Sequence, residues 1–209
     1  MKRIILNSVL LAFGITESMF GQISLNFSSG MNYSNCKFEE FECMSPKGRF
    51  GYFIGIAPSY QINKKIQLQV DFQYSLKGYD TGIDNNTIPS RNRFGYLDII
   101  PEVEFDLLRY LVLGIGLNYG IKVNEKVKIN NGDWSDPIVE SIRSTDFGLV
   151  SKLETNYKSF FAFARYNIGL INVSEFVFTD ENGQINDDAK QFNRNLQIGI
   201  GYKLKFKNE

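Results

Sequence analysis

The residue types that most often carry catalysis are thin in this sequence, and histidine is missing altogether from its 209 residues. That excludes Ser-His-Asp and Cys-His nucleophiles, histidine-ligated zinc or haem, and a histidine pH switch. The strongest acid–base candidates left are Asp98, Glu102 and Glu104, which share one side of an alternating segment. The competing use of such carboxylates is salt bridging to Lys122, Lys152, Arg165 and Lys203, and the charge balance described below favours it. Cys36 and Cys43 lie seven residues apart in a polar stretch. In an oxidising compartment they are expected to close that stretch as a disulfide.

Other motifs carry less. Asp180-Glu181-Asn182-Gly183, with Asp187 and Asp188 nearby, is acidic but lacks EF-hand spacing and reads as a turn. Gly114-Ile115-Gly116 and Gly199-Ile200-Gly201 fall inside alternating segments with no helix after them, so neither is a nucleotide loop. Asp133-Trp134 offers either an exposed aromatic contact or a locally tucked tryptophan. No catalytic residue, cofactor site or metal-ligand set emerges. The expectation is a protein that is not an enzyme.

The elements that position these residues alternate with period two, the mark of strands with two different faces. Eight such segments follow Gln22. In the clearest, Ile66, Leu68, Val70, Phe72, Tyr74 and Leu76 alternate with Gln67, Gln69, Asp71, Gln73 and Ser75. The others run over about 23–33, 50–60, 97–105, 111–123, 147–157, 160–170 and 196–206. Short connections near Lys64, Arg109 and Lys158 alternate with long polar ones. This pattern describes an antiparallel up-and-down meander. Pro58 and Pro101 interrupt it and are expected at bulges or strand ends.

Residues 1–21 read as a secretory signal peptide, with Lys2 and Arg3 before an apolar run and Gly21 at the cleavage point. Residues 22–209 then form one domain. Lys+Arg and Asp+Glu both number 23, so the chain is formally neutral and no basic cluster suggests nucleic acid. No apolar run after the N-terminus approaches the roughly 18 residues of a membrane helix.

Both membrane barrels and soluble lipocalin-like barrels alternate, so the faces must decide between them. The apolar faces carry no charge, whereas Lys or Arg at a bilayer midplane costs about 2–4 kcal/mol. The opposite faces are rich in glycine and carry Asp71, Asp98, Glu102, Glu104 and Glu154 against Lys122, Lys152, Arg165, Lys203 and Lys205. An eight-stranded barrel is just wide enough for side chains to fill, and the glycine-rich, charge-balanced face is the one that fits inside. Tyrosines toward segment ends, such as Tyr60, Tyr110, Tyr157 and Tyr202, suit an interfacial girdle. The expected fold is all-β, an eight-stranded antiparallel up-and-down transmembrane β-barrel.

Two stretches add a family likeness. Tyr96-Leu97-Asp98-Ile99-Ile100-Pro101 is similar to the YLEIP signature of the PorT-like outer-membrane β-barrel family of Bacteroidota, and Leu196 to Tyr202 resembles its final G-I-G-Y strand. The resemblance implies an eight-stranded outer-membrane barrel and no reaction. The chain departs from the family at Ile100-Pro101-Glu102 and after Phe206. The combined expectation is an exported outer-membrane barrel with a structural, interaction or secretion-accessory role, not an open pore. Its partners would be outer-membrane lipid, the barrel-assembly machinery and an envelope or extracellular protein met through the long loops. The alternative is a secreted soluble barrel holding an apolar ligand.

Overall fold

Eight antiparallel strands follow one another around a closed ring: β1 (Ile23–Glu39), β2 (Lys47–Asn63), β3 (Ile66–Thr81), β4 (Ser90–Leu108), β5 (Leu111–Ile129), β6 (Thr145–Tyr157), β7 (Phe160–Gly169) and β8 (Lys190–Lys205). The computed structural model describes residues 22–39, 46–81, 89–138, 142–175 and 189–206. Closure comes from β1 against β8, in register from Ser24↔Lys205 to Glu39↔Lys190. A closed ring leaves no sheet edge, so every spanning strand has a hydrogen-bonding neighbour on both sides.

Three connections are two-residue turns, at Lys64-Lys65, Arg109-Tyr110 and Lys158-Ser159. Lys158 takes a φ of 57°, the positive value that tight hairpin turns demand. The opposite end carries the four long connections, and there β3, β4 and β5 rise well above the apolar band.

The side chains sort as their alternation requires. Ile54, Ile198 and Ile200 point outward and are 61%, 63% and 68% exposed, while Asp71, Glu102 and Arg165 point inward and are buried. Tyr60, Tyr110, Tyr157 and Tyr202 stand exposed near the short turns, with Tyr202 against Phe160 at 5.3 Å between ring centroids. The outward apolar run of β1 ends at Tyr33, and Asn35 and Lys37 continue the same face as polar residues. An apolar outside with a charged inside overturns the soluble-barrel alternative, which needs the reverse.

The glycines of β8 make this interior possible. A Cβ on Gly199 would stand 2.6 Å from the Phe53 ring and 2.8 Å from Phe163, and one on Gly201 would run into Phe161. Phe53, Phe161 and Phe163 therefore pack inside the ring as a small aromatic cluster.

The two prolines correct the sequence-based expectation. Pro58 and Pro101 lie within β2 and β4, away from the register shifts, and pair with Leu25 and Val70 respectively. On the other side the ladder skips: β2–β3 pairing passes from Ile56↔Phe72 to Ser59↔Gln69, and β4–β5 from Ile99↔Tyr119 to Glu102↔Gly116. The register is the same before and after each gap. Each proline costs local ladder bonds without inserting a residue, so no bulge is needed.

Candidate functional site in the barrel lumen

Six strands send charged or amide side chains to one level of the lumen. Arg165 of β7 donates to Asp71 of β3 at 2.9 Å and to Glu102 of β4 at 3.0 Å, with Gln73 and Gln197 also accepting from it. Lys152 of β6 bonds Glu104 and lies 3.3 Å from both Glu102 and Glu154. Lys203 of β8 reaches Glu154 at 3.7 Å. Gln67 and Gln69 donate to Glu104 and Glu102, and Asn26 donates to Gln69. Arg165 and Lys152 are each 2% exposed. Charges so deep persist only when paired and hydrogen-bonded, and here each cation meets at least two carboxylates.

The Phe163 ring adds a wall to this site. The Arg165 guanidinium carbon sits 5.1 Å from its centroid, close enough for cation–π attraction.

A second pair lies nearer the long loops. Lys77 donates to Asp98 at 2.9 Å, with Ser75 and Gln73 completing the shell of that carboxylate. Asn193 donates to Asp146 at 2.9 Å. Lys77 and Asp146 were absent from the sequence-based set. Lys77 continues the Gln73–Ser75 alternation by one step, and Asp146 precedes Phe147 in the same way, so the signal was present at segment ends.

The remaining expected interior charges lie toward the two ends. Lys122 pairs with Glu125 at 2.6 Å close to the long loops. Lys205 sits at the short-turn mouth and is exposed. The carboxylates Asp98, Glu102 and Glu104 do share a strand face, but each is engaged by a cation or amide donors.

Above these pairs the barrel is capped. Ile142 and Ser174 form a β-bridge between two long connections, and Arg143 N–H donates to the Val173 carbonyl at 2.7 Å. Ile142 and Val173 are thereby buried against Cys36, Tyr79, Phe94 and Tyr96. Burial pushes the Cys36 thiol well above the usual cysteine range. Among the described residues that thiol has no disulfide partner; Cys43, its expected one, lies outside them, as do Asp180 to Gly183, Asp187 and Asp188. Trp134 is held between Arg49 and Arg93, whose guanidinium carbons stand 4.8 and 4.6 Å from its ring. It is locally tucked.

The family profile described as "Outer membrane protein beta-barrel domain" matches residues 16–175. The chain belongs to this family. It is accordingly a protein of the cell outer membrane, with the apolar face toward lipid. Solved outer-membrane protein structures are similar to it. The outer membrane protein OprG from Pseudomonas aeruginosa superimposes with a TM-score of 0.50 at 11% identity, covering 89% of this chain and 97% of that one. Ail, the attachment invasion locus protein of Yersinia pestis, has a TM-score of 0.49 at 17% identity, covering 88% and 99%. Neisserial surface protein A follows at 0.45 and 14%, covering 88% and 97%. No curated protein sequence matches the chain.

Proposed function

We propose that this outer-membrane barrel is a sealed, non-catalytic interaction protein of the cell envelope rather than a diffusion pore. The observation that supports this reading is the cross-lumen network of Arg165 and Lys152 with Asp71, Glu102, Glu104 and Glu154, which occupies the cross-section of an eight-stranded ring. The capping cluster around Ile142 and Val173 supports it at the long-loop end. The short turns face the periplasm and the long connections face outward, as in barrels of this architecture. Residues 1–21 act as the export signal, and the resemblance of the YLDIIP and GIGY stretches supports kinship with the PorT-like barrels of Bacteroidota. The barrel-assembly machinery inserts it, and its outer connections meet an envelope or extracellular partner.

Liposome swelling tests the sealed lumen. Vesicles carrying the folded protein should swell in small sugars no faster than empty vesicles. Swelling at a porin-like rate contradicts the proposal.

A further inference from the structure

We propose that the mouth at the short-turn end is a binding site for a multiply charged, phosphate-bearing anion. This rests on the membrane-barrel reading and concerns the end that reading turns to the periplasm. A cup of about 500 Å³ opens there, and six cations line it: Lys64, Lys65, Arg109, Lys158, Lys203 and Lys205. The acid that lines it is Asp106. All three two-residue turns contribute, so the positive charge rings the cup instead of lying along one side.

The chain as a whole is neutral, so this concentration of base is positional and not a matter of composition. It also contrasts with the lumen directly above, where every cation is matched. Among the described residues, Lys203 alone of the six has a carboxylate within salt-bridge reach, Glu154 at 3.7 Å. Among the described residues none of the other five has a carboxylate within salt-bridge reach, so six cations face the single lining acid Asp106. A concave site lined by one sign of charge focuses its field and concentrates counter-ions. Ammonium groups on flexible stems meet phosphate as point charges and can adjust to several phosphate geometries. A phospholipid headgroup from the adjoining leaflet and a soluble polyphosphate both offer this chemistry.

The test is calorimetric titration of sodium tripolyphosphate into the folded full-length chain in zwitterionic detergent. The variant K64Q/K65Q/K158Q/K205Q removes turn and mouth cations and leaves the Lys203–Glu154 pair in place. K126Q/K128Q, at the opposite end, is the control. The expected result is binding that weakens with salt, falls at least about tenfold in the quadruple variant and is unchanged in the control. No binding by the wild type, or equal binding by both variants, overturns the proposal. Repeating the titration in phosphatidylcholine vesicles with and without phosphatidylglycerol separates the sources. Weaker tripolyphosphate binding with phosphatidylglycerol present assigns the site to a lipid headgroup, and no change assigns it to a soluble anion.

Folding is read in the same samples by the heat-dependent electrophoretic shift. A shifted barrel without anion binding overturns the site alone. Absence of the shift overturns the membrane-barrel reading and the site with it.

Discussion

Arg165 and Asp71 stand on β7 and β3, strands four places apart in a ring of eight, and their side chains meet at 2.9 Å across the lumen despite a separation of 94 positions in sequence. The bond ties opposite walls of the barrel together. Removing the cation would leave Asp71 buried with no cation in bonding reach, and Glu102 with Lys152 alone. Breaking such a pair from one side typically costs about 3–5 kcal/mol. Arg165→Met should therefore lower stability by roughly that amount in urea unfolding from lipid vesicles. The double variant D71N/R165M should lose less than the sum of the single losses. Strict additivity would show that the two groups are not coupled.

The glycines of β8 give a steric prediction. Gly199→Val places methyl groups where the rings of Phe53 and Phe163 already lie. Overpacking of this kind costs about 1–3 kcal/mol, so the temperature at which the folded electrophoretic form disappears should fall. An unchanged transition would mean the aromatic cluster is looser than its geometry implies.

On the lipid face, Ile200 lies in the middle of the outward run from Leu196 to Leu204 on β8 and is 68% exposed. Ile200→Arg should cost about 2–4 kcal/mol in a bilayer, against about 0–1 kcal/mol for Asn35→Arg near the interface. Urea unfolding from vesicles measures both. Equal costs would mean that Ile200 does not sit at membrane depth.

Cys36 lies above the apolar band, and burial holds its thiol protonated. In the Cys43→Ser variant, which cannot form the expected disulfide, Cys36 should resist maleimide while the barrel is folded and react once it is unfolded. Rapid labelling of the folded form would show that the cap of Ile142 and Val173 is open in solution.

Much of this architecture was legible in the alternation itself. The segment from Ile66 to Leu76 already separates a lipid face from a lumen face, and Asp71, Glu102 and Arg165 fall on the lumen side without any tertiary information. What pairs with what was not legible. The Arg165–Asp71 bond depends on ring closure, which brings β3 opposite β7 and leaves no local trace. Lys77 and Asp146 lie past the point where outward residues cease to be apolar and the alternation fades, yet β3 and β6 continue inward polar positions beyond it. Pro58 and Pro101 depart from the local expectation for a related reason. Local rules forbid proline in a paired strand, but a closed ring holds the register from both sides and tolerates missing ladder bonds. The cap could not be read at all, since Ile142 and Val173 come from separate connections that meet only above the closed barrel.

Single-channel recording in planar bilayers tests the sealed lumen most directly. With the Arg165 and Lys152 network intact, the inserted protein should show no sustained conducting level in molar salt. A stable open state with the conductance of a water-filled pore would contradict a lumen closed by paired charges.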